Sequence, residues 1–302
     1  MAIGVVDADH NVLHRSTERT FGRDLGQLLD ELESELHEAR RACPEATSLG
    51  IGIPSTLDHE RGTAISSVNL PIVDVPFRDL VAERMGMPTL IDNDANLAAL
   101  AEHRLGAAKG TENAILLTIG TGIGGGLVLG GELYRGSTGA GAELGHVVID
   151  QAGPPCQGNC PNRGCVEVLA SGSALGREGR IAAETHPGSA LGRTLARGEE
   201  VTGRLVTEVA IAGDGIAVEV LATIGRRLGV ALSSLANIFE PEVIVIGGGV
   251  SAAGDLLLEP AREQLRTRAL PPMSGTPVVP AALGPDAGMI GAAEMALEES
   301  AD

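Results

Sequence analysis

Apolar positions along the chain fall into short blocks separated by spaced stripes. Residues 3–6 form an apolar block, Asp7-Ala8-Asp9-His10-Asn11 is turn chemistry, and apolar character resumes at Val12. Two such blocks around a polar turn predict a β-hairpin. Leu25, Leu28, Leu29, Leu32 and Leu36 recur at helical spacing, which predicts an amphipathic helix over 24–42. Residues 48–53 read as a buried strand stopped by Pro54, 77–85 as a helix, and 88–91 as a strand. Asp92-Asn93-Asp94 then opens a helix running to about 105. Residues 114–119 predict a buried strand, 127–129 its hairpin partner with 120–126 as the loop, and 146–149 a further strand. The second half reads as helices near 166–183, 203–212 and 216–236, a strand at 243–246, a helix at 255–268, a short strand at 277–280 and a final helix at 287–299. Strands alternating with helices predict an α/β fold. The seam between two domains falls near 105–110, giving a first domain over 1–106, a second over 107–286, and a last helix that packs back on the first.

Composition narrows the picture. The chain has 302 residues, enough for two cores, and only one Tyr, three Phe and no Trp, so the core is aliphatic, which also argues against stacking of bases on aromatics. Net charge is −18, which argues against nucleic acid and against an anionic membrane surface. No apolar stretch is long enough to span a bilayer, and the N-terminus lacks a basic start, a long apolar run and a small-residue cleavage site; the expectation is a cytoplasmic protein. Lys109 is the sole lysine.

Three of the four cysteines, Cys156, Cys160 and Cys165, lie within ten residues, and His146 precedes them. One imidazole and three thiolates are the ligand set of a closed, structural Zn²⁺ site. The run Gly120-Thr121-Gly122-Ile123-Gly124-Gly125-Gly126 exposes backbone N–H groups to which a polyphosphate can come close. It fits neither the Walker pattern nor a dinucleotide fingerprint, and it reads equally as a plain Gly-rich hairpin. Gly247, Gly248 and Gly249 follow a buried strand and precede a helix; they suit either a tight turn or the close approach of an adenosine unit. Asn93 and Asp94 at a helix start are ordinary caps, but a carboxylate above the carboxyl end of a strand can also take a proton from a hydroxyl. Glu143 is three residues before His146 and Glu167 two after Cys165. If zinc pins those ligands, both carboxylates are held beside it and suit the vicinal hydroxyls of a sugar; taken singly, each reads as a surface Glu.

Together these segments resemble the ROK family of sugar kinases, most closely its glucokinases. The resemblance is carried by Gly50-Ile51-Gly52-Ile53-Pro54, Asn69-Leu70-Pro71, Asn93-Asp94-Ala95-Asn96, the glycine run 120–126, Ala142-Glu143-Leu144-Gly145-His146, Gly164-Cys165-Val166-Glu167, Gly247-Gly248-Gly249 and residues 287–293, in family order. It implies a two-domain actin-like (ribonuclease H-like) fold, with sugar and ATP in an interdomain cleft. Asp94 would be the catalytic base toward the sugar 6-hydroxyl. Asn69, Asn93, Glu143, His146 and Glu167 would bind sugar. Gly120, Thr121, Gly122 and Gly124 would face the ATP phosphates, with Gly247, Gly248 and Gly249 at the adenosine and Mg²⁺ accompanying ATP. Glucose is the leading substrate, with N-acetylmannosamine, allose or fructose as alternatives; polyphosphate is a less favoured donor than ATP. A homo-oligomer, a dimer, follows from the family habit. The competing class is a catalytically weak sugar sensor, since the family includes repressors; a DNA-binding repressor with their helix-turn-helix domain is not expected of this acidic chain.

Three departures stand out. Three residues separate Cys156 from Cys160 where the family has one, and Pro54-Ser55 stands for Pro-Gly. The opening Asp-x-Gly-Gly-Thr phosphate loop is absent, and residues 2–16 match the hairpin that normally follows it. A start codon assigned too late would explain this. A chain lacking the segment is expected to use ATP feebly.

Overall fold

The computed structural model describes residues 1–18, 24–67 and 69–301. The chain divides into two compact units, one built of Met1–Gly110, Gly126–Ala142 and Leu283–Asp302, the other of Thr111–Gly125 and Glu143–Ala282. A linear reading sees one seam; the actual division is discontinuous, because the chain passes between the units several times.

In the first unit β1 (Ala2–Val6) and β2 (Val12–Thr17) pair antiparallel around the polar turn. There the Asp7 carboxylate accepts from the backbone N–H of Asp9 and Asn11. Helix α1 (Leu25–Ala42) begins at Asp24, whose carboxylate accepts from Gln27 N–H at 2.9 Å, and it buries the predicted stripe Leu28, Leu29, Leu32 and Leu36. Strand β3 (Leu49–Ile53) is followed by β4 (Thr56–Asp58), β5 (Thr63–Ser66) and β6 (Val73–Val75), a small antiparallel sheet. Then come α2 (Phe77–Met85), β7 (Thr89–Asn93) and α3 (Asp94–Arg104). β7 runs parallel to β3, with Ile53 opposite Asn93. The β1–β2 pair and the β3–β7 pair are separate two-stranded sheets. Leu28, Leu32, Ile53, Leu57, Phe77 and Ile91 share one apolar core.

The second unit begins with β8 (Ala114–Ile119). β9 (Ile123–Leu129) leaves that unit after Gly125, and its far end pairs in the first unit with β10 (Glu132–Leu133). The second unit resumes with α4 (Val166–Ala170), α5 (Gly172–Thr185), α6 (Ala190–Ala196), α7 (Gly203–Ile211) and α8 (Gly215–Phe239). β11 (Val243–Gly247), α9 (Asp255–Arg268) and β12 (Val278–Pro280) complete it. β11 lies between β8 and β12, parallel to both, and all its residues are buried, as an unbroken apolar run at the centre of a parallel sheet requires. Leu221, Ile224 and Leu228 of α8 are buried where α8 packs along α9. The final helix, α10 (Ala287–Ala301), returns to the first unit, where Ala292 and Met295 meet Leu97 and Leu100 of α3. No helix among the described residues is long and apolar enough to cross a membrane.

Three local expectations are corrected, and several elements were not foreseen. Residues 123–126 lie on β9, so the Gly-rich loop shrinks to 120–122; strand pairing uses backbone groups, which glycine retains. Residues 146–149 are not a strand: Leu144–His146 is a 3₁₀ turn, and Val148 makes only an isolated bridge to Cys165. The helix expected over 166–183 is two helices broken at Ser171, whose hydroxyl caps α5 by accepting from Ala174 N–H at 3.3 Å. The three short strands β4 to β6 and helix α6 were without a periodic signal.

Candidate active site

In the first unit the site is a tight strand-to-helix turn. β7 ends at Asn93, whose side-chain oxygen accepts from the N–H of Ala95 at 2.9 Å and of Asn96 at 3.3 Å. Asn93 is therefore the helix cap, and Asp94, the first residue of α3, is not required for that task. Asp94 is exposed, with one carboxylate oxygen accepting from Ala95 N–H at 3.0 Å. Although the residue reaches solvent, the protein packed around its carboxyl raises its pKa above the ordinary value, against the lowering pull of backbone N–H groups. Asn69 lies exposed in a bend of the same unit, its N–H donating to Ser67 Oγ at 3.3 Å.

Beneath the turn sits a residue without a predicted role. Asp92 is 1% exposed and accepts from Asn93 N–H at 2.7 Å, Asn96 Nδ2 at 2.9 Å and Arg135 Nε at 2.6 Å. Nothing in the local pattern announces Arg135, which is 43 residues away in sequence.

In the second unit the carboxyl ends of β8 and β11 each carry a glycine segment, the usual ligand end of a parallel sheet. Gly120 accepts from Gly172 N–H at 2.8 Å through its carbonyl, and the Thr121 carbonyl accepts from Ser173 Oγ at 2.8 Å. Glu167 accepts from Ile123 N–H at 2.8 Å, and a Cβ at Gly122 would collide with that carboxylate. Glu167 thus holds the glycine turn in shape. Gly124 lies on β9 rather than in the turn. Gly247 ends β11, and Gly248 has φ of 83°, where a Cβ would come to 2.5 Å from the Ile119 backbone. A Cβ at Gly249 would meet no atom within 4 Å, so its backbone stands open. Ser171, Gly172 and Ser173 were missed by sequence reasoning; a Ser-Gly-Ser cap inside an unbroken helical period was the available signal.

The same unit brings the four expected metal ligands together. One ligand atom each from His146, Cys156, Cys160 and Cys165 lies within 4.8 Å of the others. Cys156 Sγ is 3.5 Å from His146 Nδ1, and Cys160 Sγ is 3.9 Å from Cys165 Sγ. A tetrahedral zinc with bonds of about 2.3 Å has ligand–ligand edges of about 3.8 Å, so the donors fit that ion. Burial and the neighbouring thiols push the Cys156 thiol up to about 12, and burial also raises Cys165. Bare, the cluster would hold its protons; a divalent cation supplies the charge that thiolates need. Glu143 Oε2 stands 3.9 Å from His146 Nε2, on the ring edge away from Cys156.

Comparison with known proteins extends this geometry. A glucokinase of Halalkalibacterium halodurans is 38% identical over 266 residues, covering 87% of this chain and 80% of its own. A glucokinase of Thermotoga maritima is 36% identical over 303 residues, covering 98% and 94%. The crystal structure of a ROK family glucokinase from Streptomyces griseus in complex with glucose and AMPPNP superposes with a TM-score of 0.87 at 33% identity, covering 98% of this chain and 95% of that one. The fold is thus the actin-like one of ROK sugar kinases. The ROK family model matches residues 1–299, and this chain belongs to the ROK family.

Proposed function

We propose that the protein transfers the γ-phosphoryl group of ATP to the 6-hydroxyl of a hexose, glucose foremost. It is a phosphotransferase acting on a sugar. The observation that carries the finer reading is the placement of Asp94: it opens α3 at the carboxyl end of β7, reaches solvent, and leaves the Asn96 N–H to Asn93, which also shares Ala95 N–H with it; its raised pKa agrees. In this reading Asp94 takes the proton as the sugar oxygen bonds to the γ-phosphorus and the bridging bond to ADP breaks. A raised carboxylate is a better base than an ordinary one.

The candidate sugar-binding side chains are Asn69, Asn93, Glu143, His146 and Glu167. Thr121 and Gly122 supply N–H groups for phosphate charge; Gly120, whose N–H is given to the Gly122 carbonyl at 2.9 Å, closes the turn, and Gly124, being on β9, acts only by letting its backbone come close. Gly247, Gly248 and Gly249 leave room for adenosine, and Mg²⁺ accompanies the nucleotide. His146, Cys156, Cys160 and Cys165 would hold zinc, a closed four-ligand site that stiffens the loop carrying sugar-binding side chains.

The test is ADP release on glucose, N-acetylmannosamine, allose and fructose, for the wild type and Asp94→Asn. Glucose should give the highest kcat/KM, and Asp94→Asn should lower kcat by about 10³-fold. Hexose binding without turnover in the wild type would replace this reading with a sugar sensor.

A further inference from the structure

The ion pair under the catalytic turn is absorbed by none of the roles above. Asp92 is almost wholly buried, and its carboxylate touches three things at once: the N–H of Asn93, the side-chain amide of Asn96, and Arg135. Asn93 precedes Asp94, and Asn96 lies two residues beyond it. One carboxylate therefore ties the chain on both sides of the proposed base. Asn96 shows how much depends on that tie: its own oxygen is buried without a partner, so its orientation rests on the bond it gives Asp92.

Arg135 is presented from a stiff support. It belongs to the segment Gly126–Ala142, within the same unit as Asp92. Its carbonyl accepts from Gly141 N–H at 2.8 Å, closing a loop of the backbone. The loop is anchored at Thr138, whose carbonyl accepts from His59 N–H at 3.0 Å, beside Gly139 with φ of 101°. A guanidinium on such a base, donating through Nε at 2.6 Å, sets where the carboxylate stands.

We infer that Arg135 is a positioning residue for phosphoryl transfer: through Asp92 it fixes the direction of the Asp94 carboxylate. The inference rests on the reading of Asp94 as the base. It assigns Arg135 no contact with sugar or nucleotide. A charge pair placed there, its carboxylate buried and its guanidinium partly open, serves geometry, since a displacement of about 1 Å at a reacting group costs on the order of 10²-fold in rate.

The experiment compares wild type, Arg135→Gln, Arg135→Lys and the double variant Asp92→Asn/Arg135→Gln in steady-state glucose phosphorylation, with thermal melts on each. Arg135→Gln should lower kcat roughly 10- to 100-fold with KM for ATP within about twofold, and Arg135→Lys should recover most of the loss. A merely structural role would lower the melting temperature while leaving kcat per folded molecule unchanged, and that result overturns the inference. Should Arg135→Gln not fold, the neutral double variant decides: kcat within about twofold of wild type overturns the inference, and a loss of about tenfold or more, at wild-type KM for ATP, supports it. A wild type without kinase activity, or an Asp94→Asn variant with full activity, defeats the reading of Asp94 itself; an active wild type with a crippled Asp94→Asn and an unaffected Arg135→Gln defeats only the role of Arg135.

Discussion

The turn at 92–96 and the loop at 146–165 are held in place by different physics. The turn is held from within: a buried carboxylate with three donors, a cap with two, and a helix growing out of a strand that pairs with β3. Every bond there is made by the protein's own groups. The loop has turn bonds of its own, such as the N–H groups of Ile149 and Asp150 to the Gly164 carbonyl and Cys156 N–H to the Asn162 carbonyl, but no regular strand or helix, and its small apolar cluster is Cys165, Val168 and Leu169 with Ile149, Cys156 and Cys160 around it. Three of those six residues are proposed ligands, so the loop's core and its proposed metal site share their three thiols. A region organised by internal bonds breaks under mutation of its bonding partners; one organised by a cation breaks when the cation leaves.

Asp94→Asn carries the largest expected effect and separates the two regions most cleanly. It should lower kcat by about 10³-fold while zinc content stays at the wild-type value by elemental analysis. Loss of metal in this variant would mean that the regions are not independent. Cys165→Ser is the converse. It removes a fully buried ligand, so bound zinc should be lost and glucose affinity should weaken by about 100-fold, read by calorimetry. Wild-type glucose affinity in a zinc-free Cys165→Ser protein would show that the loop keeps its shape without a metal.

The pH dependence comes next in size and belongs to the turn alone. Asp94 must be deprotonated to act as a base, and its pKa is raised. The acid limb of kcat/KM should therefore have its midpoint above the ordinary Asp value of about 3.9, with activity falling tenfold per unit below it. The stability sign is opposite to that of a salt-bridged Asp. A carboxyl raised in the folded state binds its proton more tightly there than when unfolded, so ionising it opposes folding. That cost is absent below the unfolded pKa, grows as pH rises through the folded pKa, and is complete above it. Asp94→Asn should thus be more stable than wild type at neutral pH, and the gap should close on acidification in urea titrations. A gap that widens on acidification would contradict the raised pKa.

How much of this was legible in the sequence follows the same division. Helices with a clear stripe, such as α1 with Leu28, Leu29, Leu32 and Leu36, were readable because burial imposes the helical period on side chains. Strands β8 and β11 were readable because burial on both faces makes each a nearly unbroken apolar run. β9 was half hidden, since Gly124, Gly125 and Gly126 carry no side chains for a period to act on. The cysteine cluster was legible because ligand chemistry demands particular residue types close together. The Asp92–Arg135 pair was not: its partners share no period, and what joins them is the return of 126–142 to the first unit, a property of topology.

The smallest expected effect tests whether the turn divides its labour as its bonds suggest. Asn93 accepts from two N–H groups, and Asp94 accepts from one of the same two. If Asn93 is the working cap, Asn93→Ala should cost about 1 kcal/mol in urea unfolding, while Asn93→Gly should cost only a few tenths, because glycine leaves those amides open to water. If Asp94 instead swings in to cap α3, the two variants will be equally stable and close to wild type. In that case the Asp94 carboxylate would be spent on the helix, and kcat would fall in both variants with no loss of stability. A stability loss in Asn93→Ala that exceeds the loss in Asn93→Gly leaves Asp94 free of the helix.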